Sequence, residues 1–132
     1  MPGQGAAVKI MIVEDEAIIA FDLADAVAKL GFTVIGPVPT SDKALDAIDD
    51  SRPDAVIMDI LLRGEWAIPL AIRLSSEDIP FLVVTGLPRK ALEKIPAFEG
   101  VENIGKPIDI NQLAEALENL HLYRNSGALP TD

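Results

Sequence analysis

Five side chains in this sequence could do chemistry together: Glu14, Asp15, Asp59, Thr85 and Lys106. Each stands where an apolar run stops. Val8-Lys9-Ile10-Met11-Ile12-Val13 runs into Glu14-Asp15-Glu16, and Ala55-Val56-Ile57-Met58 runs into Asp59. Ile79-Pro80-Phe81-Leu82-Val83-Val84 ends in Thr85-Gly86, and Val101-Glu102-Asn103-Ile104 leads to Gly105-Lys106-Pro107. Such runs read as strands buried on both faces. A carboxylate at the end of one is costly to desolvate unless cations or donors surround it. Were the strand ends to meet, three acids would share one lysine, more negative charge than a single ammonium offsets. Mg²⁺ resolves this, because it takes one or two carboxylates, a carbonyl and waters, and suits a site completed by a phosphoryl oxygen. A carboxylate beside that cation, a lysine and a hydroxyl has the parts of a phosphoryl acceptor. Asp59 would be the nucleophile, Thr85 a donor to one phosphoryl oxygen and Lys106 a point charge on another, with Gly86 allowing close backbone approach. Asp15 would hold Mg²⁺ directly, and Glu14 directly or through water.

The elements that must position these residues follow from the pattern between them. Ile19, Leu23, Val27 and Leu30 recur at helical spacing ahead of Gly31, a residue suited to a left-handed helix stop. Phe32-Thr33-Val34-Ile35 is a short strand punctuated by Gly36-Pro37, and Ser41 is placed to cap a helix that turns Ala44, Leu45 and Ile48 inward. After Asp59 the pattern predicts a loop through Arg63-Gly64-Glu65 and a helix from about Trp66 to Ser76, with Pro69 confined to its first turn. Trp66 reads as a packing residue at that helix start. A weakly patterned helix runs from Pro88 to about Ile95 before Pro96 breaks it. Asp109 with Gln112 makes a capping-box pattern, followed by the stripe Ile110, Leu113, Ala114, Leu117 and Leu120 to about Tyr123. His121 reads as a helix-surface residue. Five strands alternating with five helices predict an α/β fold, and right-handed crossovers bring all strand carboxyl ends to one edge. Ligands of open α/β sheets bind outside that edge, where the strand order switches. The predicted organisation is a flexible start over 1–7, one domain over 8–123 and a tail over 124–132.

Composition narrows the classes. The 132 residues suffice for one domain with its own core, and 49% hydrophobic but only 5% aromatic residues suit layers of Ala, Ile, Leu and Val. With no Cys and one His, thiolate and histidine metal frameworks lack their ligands, so a bound metal would be a hard one held by oxygen. A formal charge of −10 opposes binding to a nucleic-acid backbone. Neither a basic-then-apolar leader nor a long apolar run is present, so a cytoplasmic location without membrane contact is expected.

Ile12-Val13-Glu14-Asp15-Glu16, Met58-Asp59-Ile60, Val84-Thr85-Gly86 and Gly105-Lys106-Pro107 resemble, in order and spacing, the receiver domain of bacterial two-component response regulators. The resemblance covers about residues 8–123 and is to the stand-alone type. It implies a flavodoxin-like, three-layer αβα fold with a five-stranded parallel sheet ordered 2-1-3-4-5. It also implies Mg²⁺-dependent phosphorylation of Asp59 by a histidine kinase or histidine phosphotransfer protein. Metal ligation would fall to Asp15, Asp59 and the backbone carbonyl of Leu61, and Lys106–Pro107 would be cis. Such a domain is a signalling module that catalyses its own phosphoryl transfer and slow dephosphorylation, not an enzyme with an external substrate.

Two features depart from the family pattern: the loop reads Leu61-Leu62-Arg63-Gly64-Glu65-Trp66 where a Pro about four residues after the acceptor Asp is usual, and Asn103 stands where an aromatic switch residue is usual, three before the lysine. Stand-alone receivers typically carry an aromatic two residues after the threonine, where this chain has Leu87. Leu61 and Leu87 would flank the acyl phosphate without orienting water, which predicts slow self-hydrolysis. Output is expected by docking, to a downstream protein or a second copy through the face of the fourth helix, fifth strand and fifth helix. The competing readings are an unphosphorylated pseudo-receiver serving as an interaction module, and a phosphate sink that drains a kinase.

Overall fold

The structure, a computed structural model, describes residues 7–120. Alternation of side chains across the strands builds two cores, one on each face of a parallel sheet. Strand β1 (Lys9–Val13) sits between β2 (Thr33–Val38) and β3 (Ala55–Met58), and β3 pairs in turn with β6 (Phe81–Val83), giving the order β2-β1-β3-β6. The register is Ile10↔Ala55 to Val13↔Met58 on one side of β1 and Lys9↔Thr33 to Val13↔Val38 on the other. Ile10, Ile12, Ala55, Ile57, Leu82 and Val84 face helices α1 (Ala17–Lys29) and α5 (Ile110–Asn119). Met11, Val13, Val56, Met58 and Val83 face α2 (Ser41–Asp50) and α3 (Ile68–Ser76). The result is the three-layer α/β architecture expected.

The fifth strand is reduced to one parallel bridge, Val83↔Asn103, framed by Val83 N–H to Glu102 O at 2.9 Å and Ile104 N–H to Val83 O at 2.8 Å. It occupies the expected position beyond β6. Glycines with positive φ on either side, Gly100 (77°) and Gly105 (84°), leave too little extended chain for a full ladder. Helix α4 covers only Arg89–Glu93, followed by a 3₁₀ turn at Pro96–Phe98.

Three local expectations need correction. The second strand does not stop at Gly36–Pro37 but continues to Val38, through a cis peptide and a register shift. This is an edge strand, where a missing N–H costs no ladder bond. At Gly36 (φ 89°) a Cβ would lie 2.8 Å from Val38 N and 3.1 Å from Ile12 O, so the bend requires glycine. The cap of α2 is Thr40, whose Oγ1 accepts from Lys43 N–H at 3.2 Å, while the Ser41 hydroxyl is buried without a partner. Finally, Trp66 does not open a helix. Leu61–Leu62 (β4) and Glu65–Trp66 (β5) form an antiparallel hairpin around Arg63 and Gly64, both at positive φ (51° and 81°). Two successive positive φ values are the mark of a type I′ turn, which suits the twist of a two-residue hairpin. Helix α3 starts after it, with Pro69 in its first turn as expected.

The cap of α5 is as predicted, Asp109 Oδ1 accepting from Gln112 N–H at 3.1 Å. His121, the end predicted for that helix at Tyr123 and the tail boundary lie outside the described residues. None of the described helices is long and apolar enough to cross a membrane.

Candidate functional site

The carboxyl edge of the sheet gathers the acids. Glu14 leaves β1 with its N–H on Val38 O (2.9 Å), and Asp59 follows β3 with its N–H on Val13 O (3.0 Å), so both backbones are fixed by the sheet. Their side chains are buried, Glu14 at 3% and Asp59 at 6% exposure. Ligand atoms of Glu14, Asp15, Glu16 and Asp59 all lie within 4.8 Å of one another.

Lys106 reaches into this cluster from the chain beyond the fifth segment. Its Nζ donates to Asp59 Oδ2 at 2.7 Å, to Glu16 Oε2 at 2.8 Å and to Glu14 Oε2 at 3.3 Å. The cis Lys106–Pro107 peptide expected from the resemblance is present. Burial pulls the ammonium's pKa down, but the hydrogen bonds to Asp59 and Glu16 and the Asp59 charge outweigh this, leaving it above the ordinary lysine range. Glu14 is shifted the other way from a well-paired carboxylate. Desolvation raises its pKa, and the Glu16 N–H and Lys106 only partly oppose this. Its Oε1, 3.2 Å from Lys106 Nζ, is buried without a properly directed hydrogen bond.

The remaining contacts come from the hairpin and the loops. Asp59 Oδ1 accepts from Ile60 N–H at 2.7 Å and, more distantly, from Leu61 N–H at 3.5 Å. Ala67 N–H to Ile60 O (2.7 Å) closes the hairpin base. Ladder alternation then turns the Leu61 N–H and carbonyl away from β5. Asp15 Oδ2 accepts from Arg63 N–H at 2.9 Å. Thr85 is 3% exposed, but its Oγ1 accepts from Leu87 N–H at 3.4 Å and is not bonded to the acids. Asn103 Oδ1 accepts from Gly105 N–H at 3.0 Å.

Thus Glu14, Asp15, Asp59 and Lys106 come together, while Thr85 lies at the same edge without joining their network. Glu16 is the residue that the sequence reading passed over. The signal was present as a third acid in Glu14-Asp15-Glu16, but only the fold reveals that it reaches Lys106. Four carboxylates against one ammonium leave a formal excess of three negative charges. An orphaned buried carboxylate oxygen and an all-oxygen donor set suit a hard divalent cation.

A sequence profile of the response regulator receiver domain matches residues 10–118. The chain belongs to this family. Among relatives of the receiver domain, a transcriptional regulatory protein of Mycobacterium tuberculosis, PdtaR, is 30% identical over 112 residues, covering 83% of this chain and 55% of that protein. The positive alginate biosynthesis regulatory protein of Pseudomonas aeruginosa is 34% identical over 113 residues, covering 83% and 45%. The chain therefore spans about half the length of these curated relatives. Among solved structures, the BeF₃-activated conformation of SdrG from Pseudomonas melonis Fr1 superposes with a TM-score of 0.74 at 36% identity, covering 89% of this receiver and 98% of that chain. The family is a signalling domain of two-component systems, and the fold is its flavodoxin-like one.

Proposed function

We propose that this receiver is a phosphoacceptor: Asp59 takes a phosphoryl group from a histidine kinase or histidine phosphotransfer protein, with Mg²⁺ as cofactor. The observation that carries this reading is the 2.7 Å contact of Lys106 Nζ with Asp59 Oδ2, inside a cluster with more carboxylates than cations. Asp59 Oδ2 attacks phosphorus, an O–P bond forms, and the N–P bond of the donor phosphohistidine breaks with the electron pair leaving on imidazole nitrogen. Lys106 follows the transferred oxygens as a point charge, and Ile60 N–H holds the other carboxyl oxygen so that Asp59 presents one face. Thr85 Oγ1 accepts from Leu87 N–H and keeps its own O–H to donate to a phosphoryl oxygen.

Asp15, Asp59 and the Leu61 carbonyl would hold Mg²⁺, with Glu14 direct or through water. The bound ion shields the charge between carboxylates and the incoming phosphoryl group. By the family resemblance Leu61 and Leu87 flank the acyl phosphate and offer no group to orient water, so the acyl phosphate is long-lived. Added charge at Asp59 then biases the surface of α4, the 101–104 segment and α5 toward a protein partner or a second copy.

Acetyl phosphate labelling of wild type and Asp59→Asn tests the reading by intact mass. Wild type should gain one phosphoryl group only with Mg²⁺ and keep it well beyond seconds, while Asp59→Asn should gain none. Unchanged labelling of Asp59→Asn would overturn it by putting the acceptor elsewhere, and no labelling of wild type with Mg²⁺ would overturn it in favour of a pseudo-receiver.

A further inference from the structure

The hairpin between β3 and α3 is fastened to the acidic cluster at both ends. At its base Ile60 N–H and Leu61 N–H approach Asp59 Oδ1, and at its tip Arg63 N–H donates to Asp15 Oδ2 at 2.9 Å, across 48 residues of sequence. The tip contact depends on an uncommon turn. Arg63 (φ 51°) and Gly64 (φ 81°) are both left-handed, a conformation that costs a non-glycine residue energy and persists only where surroundings enforce it. Among the described residues Asp15 Oδ1 has no hydrogen-bond partner, so one carboxyl oxygen is held by backbone and the other is left for a ligand. Carboxylates that ligate metals are generally oriented by such an outer hydrogen bond, and removing one costs metal affinity.

We propose that the Leu61–Trp66 hairpin is a positioning element of the cation site, with the Arg63 backbone N–H setting the orientation of Asp15. The inference rests on the assignment of Asp15 as a cation ligand. Orientation by the hairpin implies the converse: a cation on Asp15 fixes the hairpin, since coupling between two equilibria is reciprocal. Trp66 lies on β5 opposite Leu61 and is the chain's single tryptophan, so its emission follows the state of the hairpin.

Two substitutions separate the turn from the side chains. A Cβ at Gly64 would meet nothing within 4 Å, so Gly64→Val acts through backbone conformation, driving φ out of the left-handed region and swinging the neighbouring N–H off Asp15. Arg63→Gly keeps the N–H and removes the guanidinium and the strain. With Mg²⁺ alone as the probe, calorimetry should show Gly64→Val binding roughly tenfold more weakly. Arg63→Gly should bind within about twofold of wild type, as expected when only an exposed side chain is lost. In wild type, Mg²⁺ should slow hydrogen exchange at the Arg63 amide and change Trp66 emission. Equal affinity of wild type and Gly64→Val, or faster exchange at Arg63 on adding Mg²⁺, would overturn the hairpin's role and leave the phosphoacceptor reading standing. Failure of wild type to bind Mg²⁺ at all would overturn both.

Discussion

Two ionic clusters sit at opposite edges of the sheet, built from much the same chemistry. At the amino edge Arg73 pairs with Asp49 at 2.7 Å and with Glu77, and Arg52 pairs with Glu77 at 2.8 Å, tying the end of α2 to the end of α3. There the cations match the acids and the four side chains are 30–65% exposed. Hydrogen bonds from Arg73 and the charge of Arg52 hold Glu77 below the usual carboxylate range despite some desolvation. At the carboxyl edge one lysine serves several acids, and the side chains of Glu14 and Asp59 are 0% and 7% exposed. The first cluster is balanced and fastens helices. The second is unbalanced and is held by the fold against its own repulsion, which is the condition for wanting a ligand.

Substitution can break that contrast, most strongly at Lys106. In metal-free protein, Lys106→Met leaves buried carboxylates unpaired and should lower stability by about 2–3 kcal/mol in urea unfolding, near the low end for breaking a buried pair because the cluster opens to water. If the proposed cation site is right, Mg²⁺ should restore much of this by binding the folded state. A loss that Mg²⁺ does not relieve would mean the acids are not electrostatically frustrated.

A smaller and more diagnostic effect is the sign of the pH dependence. Glu14 has a folded pKa raised above its ordinary 4.5, so its stabilising contribution is complete below that value and disappears as pH rises through the folded pKa. Metal-free Glu14→Gln should therefore gain stability over wild type toward neutral pH. Glu77 has a folded pKa below its ordinary 4.5, so its contribution is present above that value and disappears as pH falls through the folded pKa. Glu77→Gln should be less stable than wild type at neutral pH, with the gap closing in acid. Urea titrations of both variants from acid to neutral pH would have to slope in opposite directions.

The smallest effect belongs to Glu16, whose side chain is 61% exposed although it touches Lys106 at 2.8 Å. Glu16→Gln should change stability by at most about 0.5 kcal/mol, and the difference should shrink further in high salt. A change as large as that of Lys106→Met would move Glu16 into the buried class.

Much of this was legible in the residues themselves. Apolar runs ending in Glu14, Asp59 and Thr85 gave the strands and their polar ends, because a doubly covered parallel strand has no solvent face to interrupt its pattern. Asp109 and Gln112 marked the start of α5 because a capping pattern is local. What stayed hidden depended on tertiary context. The hairpin has Arg63 at a position where Asn or Asp is the usual signal, so the turn shows in the backbone and not in the residue type. The continuation of β2 through Pro37 is tolerated because, among the described residues, no strand lies beyond it. The Glu16–Lys106 contact joins residues 90 apart, beyond the reach of any local rule.

Asn103 stands where an aromatic is usual in the family, and its amide oxygen closes a small ring onto the Gly105 N–H, one residue short of Lys106. A swinging ring could absorb a displacement of the lysine by rotating alone. A ring closed through the main chain has less slack, so a pull on the ammonium would be handed to the peptide planes between the last bridge and Pro107. On the proposed function, the response to a phosphoryl group would then leave the site through the edge of the sheet rather than through a side-chain rotamer.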